Sequence, residues 1–244
     1  MLRILCTTAL LLQLGCASLE QGTPVGVVTR VAGLPEIGRD GARYLADEQS
    51  RVRLGDVLET DTRSRMRVIL DDGTSIELGG DARLVLKRYQ PRRGLLAPRT
   101  TVTWNTGSVD LRSGATSRGW RSRFEMVTPL ATLRMREARL LGEIIERPRV
   151  VHVGMRGGRS ISVRNHHGSE RLFEDRTRVT VPSNAAPMGP LAWRTEDVLR
   201  LEAEVQRGLH VAGPAHLALA HLVAAVTIVT IPVPRGRGRG RVGA

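Results

Sequence analysis

The stretch VRLGDVLETDTRSRMRVILDDGTSIELGGDARLVLKRY, from Val52 to Tyr89, decides the fold class. Within it, two short runs dense in apolar and β-branched residues, Met66 to Leu70 and Thr74 to Leu78, flank Asp71, Asp72 and Gly73. A glycine in such a turn accepts the positive φ that a tight hairpin requires. The stretch therefore predicts a β-hairpin turning at Asp71, Asp72 and Gly73, and we interpret the aspartates as turn residues rather than calcium ligands.

Similar runs surround this hairpin. Short strand candidates recur from Val25 to Val181 at a spacing of roughly ten residues, with glycine or aspartate between them. Thr100 to Trp104 and Gly107 to Leu111 are predicted to form a second hairpin, turning at Asn105, Thr106 and Gly107. The pattern predicts an all-β domain over residues 25–182, built of short twisted strands in a solenoid-like arrangement or a flattened sandwich.

The composition limits what the domain can bind. The chain has 244 residues, enough for one sizeable core, but only 3% are aromatic, so we expect a core of Val, Leu, Ile and Ala and no ligand site stacked on rings. The formal charge is +13, and Lys87 is the only lysine, so arginine carries almost all of it. This charge is typical either of a solvated basic exterior or of binding to anionic envelope surfaces such as lipid headgroups.

The amino terminus indicates export. Residues 1–15, MLRILCTTALLLQLG, combine a basic start with an apolar run too short to cross a bilayer, which is typical of a secretory signal peptide. Leu14-Gly15-Cys16 resembles the lipobox of bacterial lipoproteins, although Gln13 stands where that motif usually has leucine. We therefore predict lipidation of Cys16, followed by a tether over residues 16–24. Ordinary secretion and a cytosolic protein with an incidental apolar start are the alternatives.

Four short motifs of the domain occur in an order that is typical of one family. They are Gly55-Asp56 with Leu58-Glu59-Thr60, Leu70-Asp71-Asp72-Gly73-Thr74 with Ile76 and Leu78, Gly107-Ser108-Val109, and Phe124 with Val127-Thr128-Pro129. In this order they resemble the FecR domain, over about residues 25 to 165. The resemblance implies an extracytoplasmic all-β module, of the kind found in transmembrane regulators of anti-sigma signalling and alone in envelope proteins.

The chain departs from that family at two points. Glu137 to Leu140 stands where family members commonly have a Gly-Thr-x-Phe-like strand, so the closing strand is expected to pair differently. The sequence also shows neither the cytosolic anti-sigma segment nor the membrane span that precedes the domain in those regulators. Transmembrane relay to a sigma factor is therefore not expected.

After the β domain the spacing of apolar residues changes from that of a strand to that of a helix. Within residues 183–213, assigned to a linker and a helix, Thr195 is predicted to cap a helix on which Val198, Leu201 and Val205 fall at helical spacing. Residues 214–234 are mostly apolar, and Ala215 to Val233 fits a buried helix–strand element, a membrane-associated or spanning segment, or disorder.

Residues 235–244 form an Arg-Gly tail that we expect to be flexible. Its arginines, Arg235, Arg237, Arg239 and Arg241, could bind the phosphates of lipids or lipopolysaccharide. In a cytosolic protein the same tail would indicate RNA binding, which we do not expect after a signal peptide. An inert basic tail is the third interpretation.

Residues suited to catalysis are few. His166 and Ser169 lie in one turn with Glu170, but adjacent turn residues normally point apart, whereas a catalytic triad must converge in space. His152 alternates with apolar residues and is interpreted as a strand-surface residue. The sequence offers no zinc-ligand spacing and no phosphate-binding glycine loop, so we predict no metal, no cofactor and no catalytic residues.

The sequence therefore predicts a non-enzymatic protein of the Gram-negative periplasm, anchored by lipid at Cys16, with the outer membrane as the expected location of the anchor. It would bind an envelope protein or serve as a scaffold, with exposed edge strands offering unpaired amides to a partner segment. The alternatives are a component of envelope signal transduction related to anti-sigma regulation, and a glycan-binding protein or hydrolase that uses His166 and Ser169.

Overall fold

The computed structural model describes residues 22–92 and 96–209. The predicted signal peptide, Cys16 and most of the tether lie outside the described residues, as do the apolar segment 214–234 and the Arg-Gly tail.

The described chain consists of strands and one α-helix. In chain order the elements are β1 (Pro24–Ala32), β2 (Glu36–Arg39), β3 (Ala42–Leu45), β4 (Arg51–Arg53), β5 (Val57–Glu59), β6 (Arg65–Leu70), β7 (Ser75–Leu78), β8 (Arg83–Gln90), β9 (Arg99–Arg112), a 3-10 turn (Ala115–Ser117), β10 (Arg123–Val127), β11 (Thr132–Glu146), β12 (Arg149–Arg164), β13 (Ser169–Leu172), β14 (Thr177–Pro182), β15 (Met188–Ala192) and α1 (Thr195–Gln206). The all-β prediction is confirmed.

All the strands belong to one folded sheet. Its longest path runs β15-β14-β12-β11-β10-β9-β7-β6-β1-β4, and a branch β3-β2-β5-β8 joins it at β9. The first half of β9 pairs with β8 and β10, and its second half with β7 and β11. Because the two ends of β9 pair with different strands, the sheet folds over a shared core and forms a sandwich.

The inner faces of the sandwich supply that core. Along β6 and β7, Met66, Val68, Ile76 and Leu78 are fully buried and alternate with partly exposed residues. This alternation is what a half-solvated strand requires. Trp104 and Phe124 are the largest side chains that are fully buried, and the rest of the core is mainly aliphatic, as the composition predicts.

The predicted second hairpin is wrong. Residues from Arg99 to Arg112 form one continuous strand instead of turning at residues 105–107. Gly107 has the positive φ that the prediction used, +75°, but there it bends the strand rather than reversing it. The reason is that both halves find other partners: Trp104 pairs with Leu84 on β8, and Leu111 with Ile76 on β7.

The predicted helix is present as α1, and it packs on the outer face of the sheet. Its buried residues Val198, Leu201 and Val205 form a second apolar cluster with Leu141 of β11 and Trp193. The ring of Trp193 occupies the space above Gly154, where a Cβ would lie 1.6 Å from a ring carbon. The glycine therefore lets the helix approach the sheet closely.

The predicted helix cap is wrong. Thr195 is the first helical residue, and the capping position is held by Arg194, which makes no side-chain capping bond. The entry to the helix is fixed instead by the backbone, since the N–H of Trp193 donates to the carbonyl of Arg176 at 2.8 Å. The first turn carries two acidic residues, Glu196 and Asp197, which complement the helix dipole.

The sheet continues past residue 182. Strand β15 lies in the region that the sequence assigns to the linker, and it pairs antiparallel with β14. Over the described ranges, 22–92 and 96–209, no helix has both the length and the apolar character that crossing a membrane requires.

Candidate interaction surface

The hairpin of β2 and β3 projects a free strand edge. Asp40 and Gly41 form its two-residue turn with φ values of +51° and +82°, as a type I′ turn requires. Arg39 and Ala42 flank the turn, and Ile37 lies opposite Tyr44. Since hydrogen-bonded pairs alternate along an antiparallel hairpin, Arg43 and Leu45 direct their backbone N–H and C=O groups away from β2.

No described strand pairs with that side of β3. All four residues of the strand are exposed, and they include Tyr44 at 52% and Leu45 at 63%. Leu34, which is 69% exposed, lies at the same end of the hairpin as Leu45, because the N–H of Ala46 donates to the carbonyl of Pro35 at 2.8 Å. We call the free edge of β3, together with the side chains of Leu34, Tyr44 and Leu45, the β3 edge.

A buried ion pair holds the hairpin in place. The guanidinium of Arg39 donates from Nε and Nη2 to the two carboxylate oxygens of Asp56, at 2.8 and 2.7 Å, and Asp56 is 1% exposed. The hydrogen bond to Asp56 is the main cause that raises the pKa of Arg39. Bidentate pairs of this kind fix geometry as well as charge, so the β3 edge stands on a rigid base.

Other free edges of the described sheet carry features that discourage pairing. Strand β15 contains Pro190, which has no N–H to donate, and β4 exposes Arg51 and Arg53. The only charge on β3 is Arg43, which is paired with Glu36 and Glu59 at 3.2 and 3.3 Å. Among these edges, β3 is the one that offers both apolar side chains and unblocked amides.

The predicted turn at residues 71–73 lies between β6 and β7, and Gly73 has a φ of +79°. Asp72 accepts the N–H of Thr74 at 2.9 Å with one carboxylate oxygen. Its other oxygen accepts the N–H and the hydroxyl of Thr116 at 3.0 and 2.6 Å. Asp72 therefore closes the turn and ties it to the 3-10 turn.

A cavity of about 330 Å³ lies beside this turn, and the side chain of Tyr89 forms part of its wall. The hydroxyl of Tyr89 is buried and, among the described residues, has no hydrogen-bond partner with good geometry. Burial raises the pKa of this phenol, and the carboxylates of Asp72 and Asp71 raise it further, so it stays protonated. Within the described part of the chain, no three His, Cys, Asp or Glu side chains come together as metal ligands.

His166 and Ser169 lie at the turn between β12 and β13, and both are exposed. Asn165 organises this turn, since its side-chain oxygen accepts the N–H groups of His167 and Gly168 at 2.9 and 3.0 Å. In the described residues no hydrogen bond joins the ring of His166 to the hydroxyl of Ser169; the ring lies against that of His167 instead, tilted by 41° with the centroids 3.7 Å apart. The structure does not bring these residues together as a catalytic pair.

His152 lies on β12, with Nδ1 3.1 Å from the hydroxyl of Thr180. Burial lowers the pKa of this imidazole, Glu143 partly opposes the shift, and Arg178 and Arg200 add to it. The folded protein therefore binds a proton at His152 less readily than the unfolded chain does.

Acidification is consequently expected to destabilise the protein through His152. The contribution of His152 to stability is complete above its pKa in the unfolded chain, about 6.5. It is lost as the pH falls through the lower pKa that His152 has in the folded protein. Urea unfolding at neutral and mildly acidic pH should show a larger loss of stability for the wild type than for His152→Gln. The same loss in the two proteins would contradict the prediction.

Comparison with known proteins does not establish a family for this chain. No family model matches the chain, and no curated protein matches it. The chain is similar to two crystal structures, at 1.65 and 2.50 Å resolution, of a putative anti-sigma factor from Parabacteroides distasonis ATCC 8503. The TM-scores are 0.48 and 0.47 and the sequence identities 17% and 16%.

The aligned region covers 59% of this chain in both comparisons. It spans 64% and 62% of the Parabacteroides chains, less than two thirds of their length. A similarity at this level transfers no function to the present protein.

The sequence predicts strands between Val25 and Val181 and exposed edge strands among them, but it does not identify β3 as such an edge. The one local signal is Asp40-Gly41, a typical two-residue hairpin turn, followed by the apolar pair Tyr44 and Leu45.

Proposed function

We propose that this protein is a non-enzymatic binding module of the bacterial cell envelope. In this proposal it is exported to the periplasm, held at the outer membrane by lipid on Cys16, and recognises a partner protein through the β3 edge. The partner contributes an extended segment that adds to the sheet beside β3, with an apolar side chain on each face, one to cover Tyr44 and the other to cover Leu45.

One observation carries the proposal. The β3 edge combines unpaired backbone groups, which can bind an extended segment, with apolar side chains exposed by half or more. The main-chain hydrogen bonds of an added strand give affinity, and the side chains beside it give selectivity. The rigid Arg39–Asp56 base favours such binding, since little conformational freedom is lost on association.

Site-specific photocrosslinking in living cells tests the proposal. A photoreactive phenylalanine analogue is placed at position 44, and a matched probe replaces Phe173, a 60% exposed residue outside the β3 edge. We expect the probe at position 44 to crosslink to one discrete envelope protein. Leu45→Pro should abolish that product, because it removes an amide that points away from β2 without breaking a bond to β2.

The controls separate recognition from folding and from export. Far-UV circular dichroism should show that Leu45→Pro keeps its strand content, and Cys16→Ala should release the protein from the membrane fraction and prevent its labelling by palmitate. The proposed recognition fails if both probes give the same products or if Leu45→Pro leaves the product unchanged. A cytosolic, unlabelled wild type would overturn the proposed location.

A further inference from the structure

A second surface of the sheet is dense in arginine. Strands β8 to β13 are neighbours in the sheet, and the registers that join them place seven exposed arginines on one outer face. These are Arg88, Arg99, Arg123, Arg134, Arg136, Arg164 and Arg171, and we call this surface the arginine face. Between them lie small polar residues, of which Thr101, Ser160 and Ser162 are examples.

The positive charge of the arginine face is largely uncompensated. Glu125 is the only carboxylate at the paired positions of this face, and it serves two arginines, Arg134 at 3.0 Å and Arg123 at 3.6 Å. The side chains of these two arginines are still about half exposed, at 53% and 46%. By contrast, the outer face beside the β3 edge pairs Arg43 and Arg83 with Glu36 and Glu59.

A tryptophan stands at the rim of the arginine face. Trp120 is 80% exposed, more than any other large apolar side chain of the described residues, whereas Trp104 and Trp193 are buried. Its backbone carbonyl accepts a hydrogen bond from Arg136 at 3.3 Å, which ties its loop to the face. The guanidinium of Arg121 lies 4.9 Å from the centroid of its ring.

We propose that the arginine face binds the surface of a lipid bilayer that contains anionic headgroups, with Trp120 inserted at the headgroup level. Arginines on a broad, exposed sheet face can contact many lipid phosphates at once, and each contributes to attraction by an anionic membrane. Tryptophan is the side chain that prefers the boundary between headgroups and acyl chains. A nucleic acid fits less well, because single strands need several aromatic rings for stacking, and among the described residues only two exposed Trp, Tyr or Phe rings, Trp120 and Phe173, lie at this face.

Vesicle binding by the full chain tests this inference. Every protein carries Cys16→Ala to exclude the lipid anchor, and the probes are phosphatidylcholine vesicles with and without phosphatidylglycerol. We expect binding only to the anionic vesicles, with weaker binding at high salt. Replacing Arg123, Arg134 and Arg136 by serine should weaken binding about 100-fold, since one arginine near an anionic surface contributes roughly fivefold.

A charge-matched control replaces Arg51, Arg53 and Arg63 by serine. These three arginines are also exposed, but Arg51 and Arg53 lie on β4 and Arg63 lies in the turn before β6, outside the arginine face. The control variant should bind within a few-fold of the parent, although both variants lose the same charge and keep the same terminal segments. Tryptophan fluorescence of the parent should shift to the blue on binding, and Trp120→Ser should remove the shift.

Three results would overturn the inference. They are an equal loss of binding in the two triple variants, a blue shift that survives Trp120→Ser, and tighter binding of single-stranded RNA than of anionic vesicles. None of these results bears on the crosslinking at β3, so the two proposals stand or fall separately.

Discussion

Replacing Gly107 by alanine is expected to lower the free energy of unfolding by about 4 kcal/mol. Gly107 has a φ of +75°, a conformation that L-residues with a Cβ rarely adopt. A Cβ at this position would also lie 2.4 Å from the Cα of Ala82 and 2.5 Å from the carbonyl oxygen of Asp81. These are backbone atoms and cannot move aside as a flexible side chain would, so β9 and the start of β8 must separate.

Gly73→Ala is the matched control for this substitution. Gly73 has nearly the same φ, +79°, but a Cβ added there would meet no atom within 4 Å. We therefore expect a loss of only about 1 kcal/mol, the cost of the backbone conformation alone. Urea unfolding with comparable m-values measures the two changes. Equal losses would contradict the close approach of β9 to Ala82 that the structure shows.

Gly107 also shows what local sequence can and cannot predict. Alternating apolar residues and Asp-Gly turns predict the all-β class and the hairpin at residues 71–73, because strand period and turn chemistry are local properties. Whether a glycine between two strand-like runs reverses the chain or bends it depends on the partners of each run. Those partners, Leu84 for Trp104 and Ile76 for Leu111, lie outside the local sequence around Gly107.

The two candidate surfaces also depend on how segments far apart in the chain pair with one another. The exposure of Tyr44 and Leu45 follows from the absence of a described strand beyond β3, which no local pattern encodes. The arginines of the arginine face come from six strands and are spread from Arg88 to Arg171. Sequence reasoning therefore detected the excess of positive charge but could not locate it on one face.

The proposed surfaces can be occupied at the same time. The β3 edge is the rim of the branch β3-β2-β5-β8, whereas the arginine face is the outer surface of strands that begin at β8 and continue away from that branch. A bilayer on the arginine face would leave the backbone groups of Arg43 and Leu45 free for an extended segment. Membrane contact would then orient the binding edge rather than compete with it.

Glu204→Ala is expected to lower the free energy of unfolding by about 3 kcal/mol and to loosen α1. The carboxylate of Glu204 accepts the N–H of Gly80 at 2.8 Å, the hydroxyl of Ser108, and Nη2 of Arg65 at 3.3 Å. The Arg65 side chain is 3% exposed, so removing the carboxylate leaves a buried guanidinium with only backbone carbonyl acceptors. A buried charge that loses its counter-ion is costly because water cannot replace the lost partner.

Arg200→Ala is the control, because it breaks another contact between α1 and the sheet without burying a charge. Arg200 pairs with Glu143 at 3.1 Å, but its side chain is 59% exposed, so we expect a loss below about 0.5 kcal/mol. Urea unfolding compares the two variants, and limited proteolysis reports whether α1 becomes accessible, which we expect for Glu204→Ala alone. If the two variants are equally stable and equally resistant, α1 is held by its apolar cluster with Leu141 and Trp193, and the polar contacts of Glu204 contribute no more than an exposed ion pair.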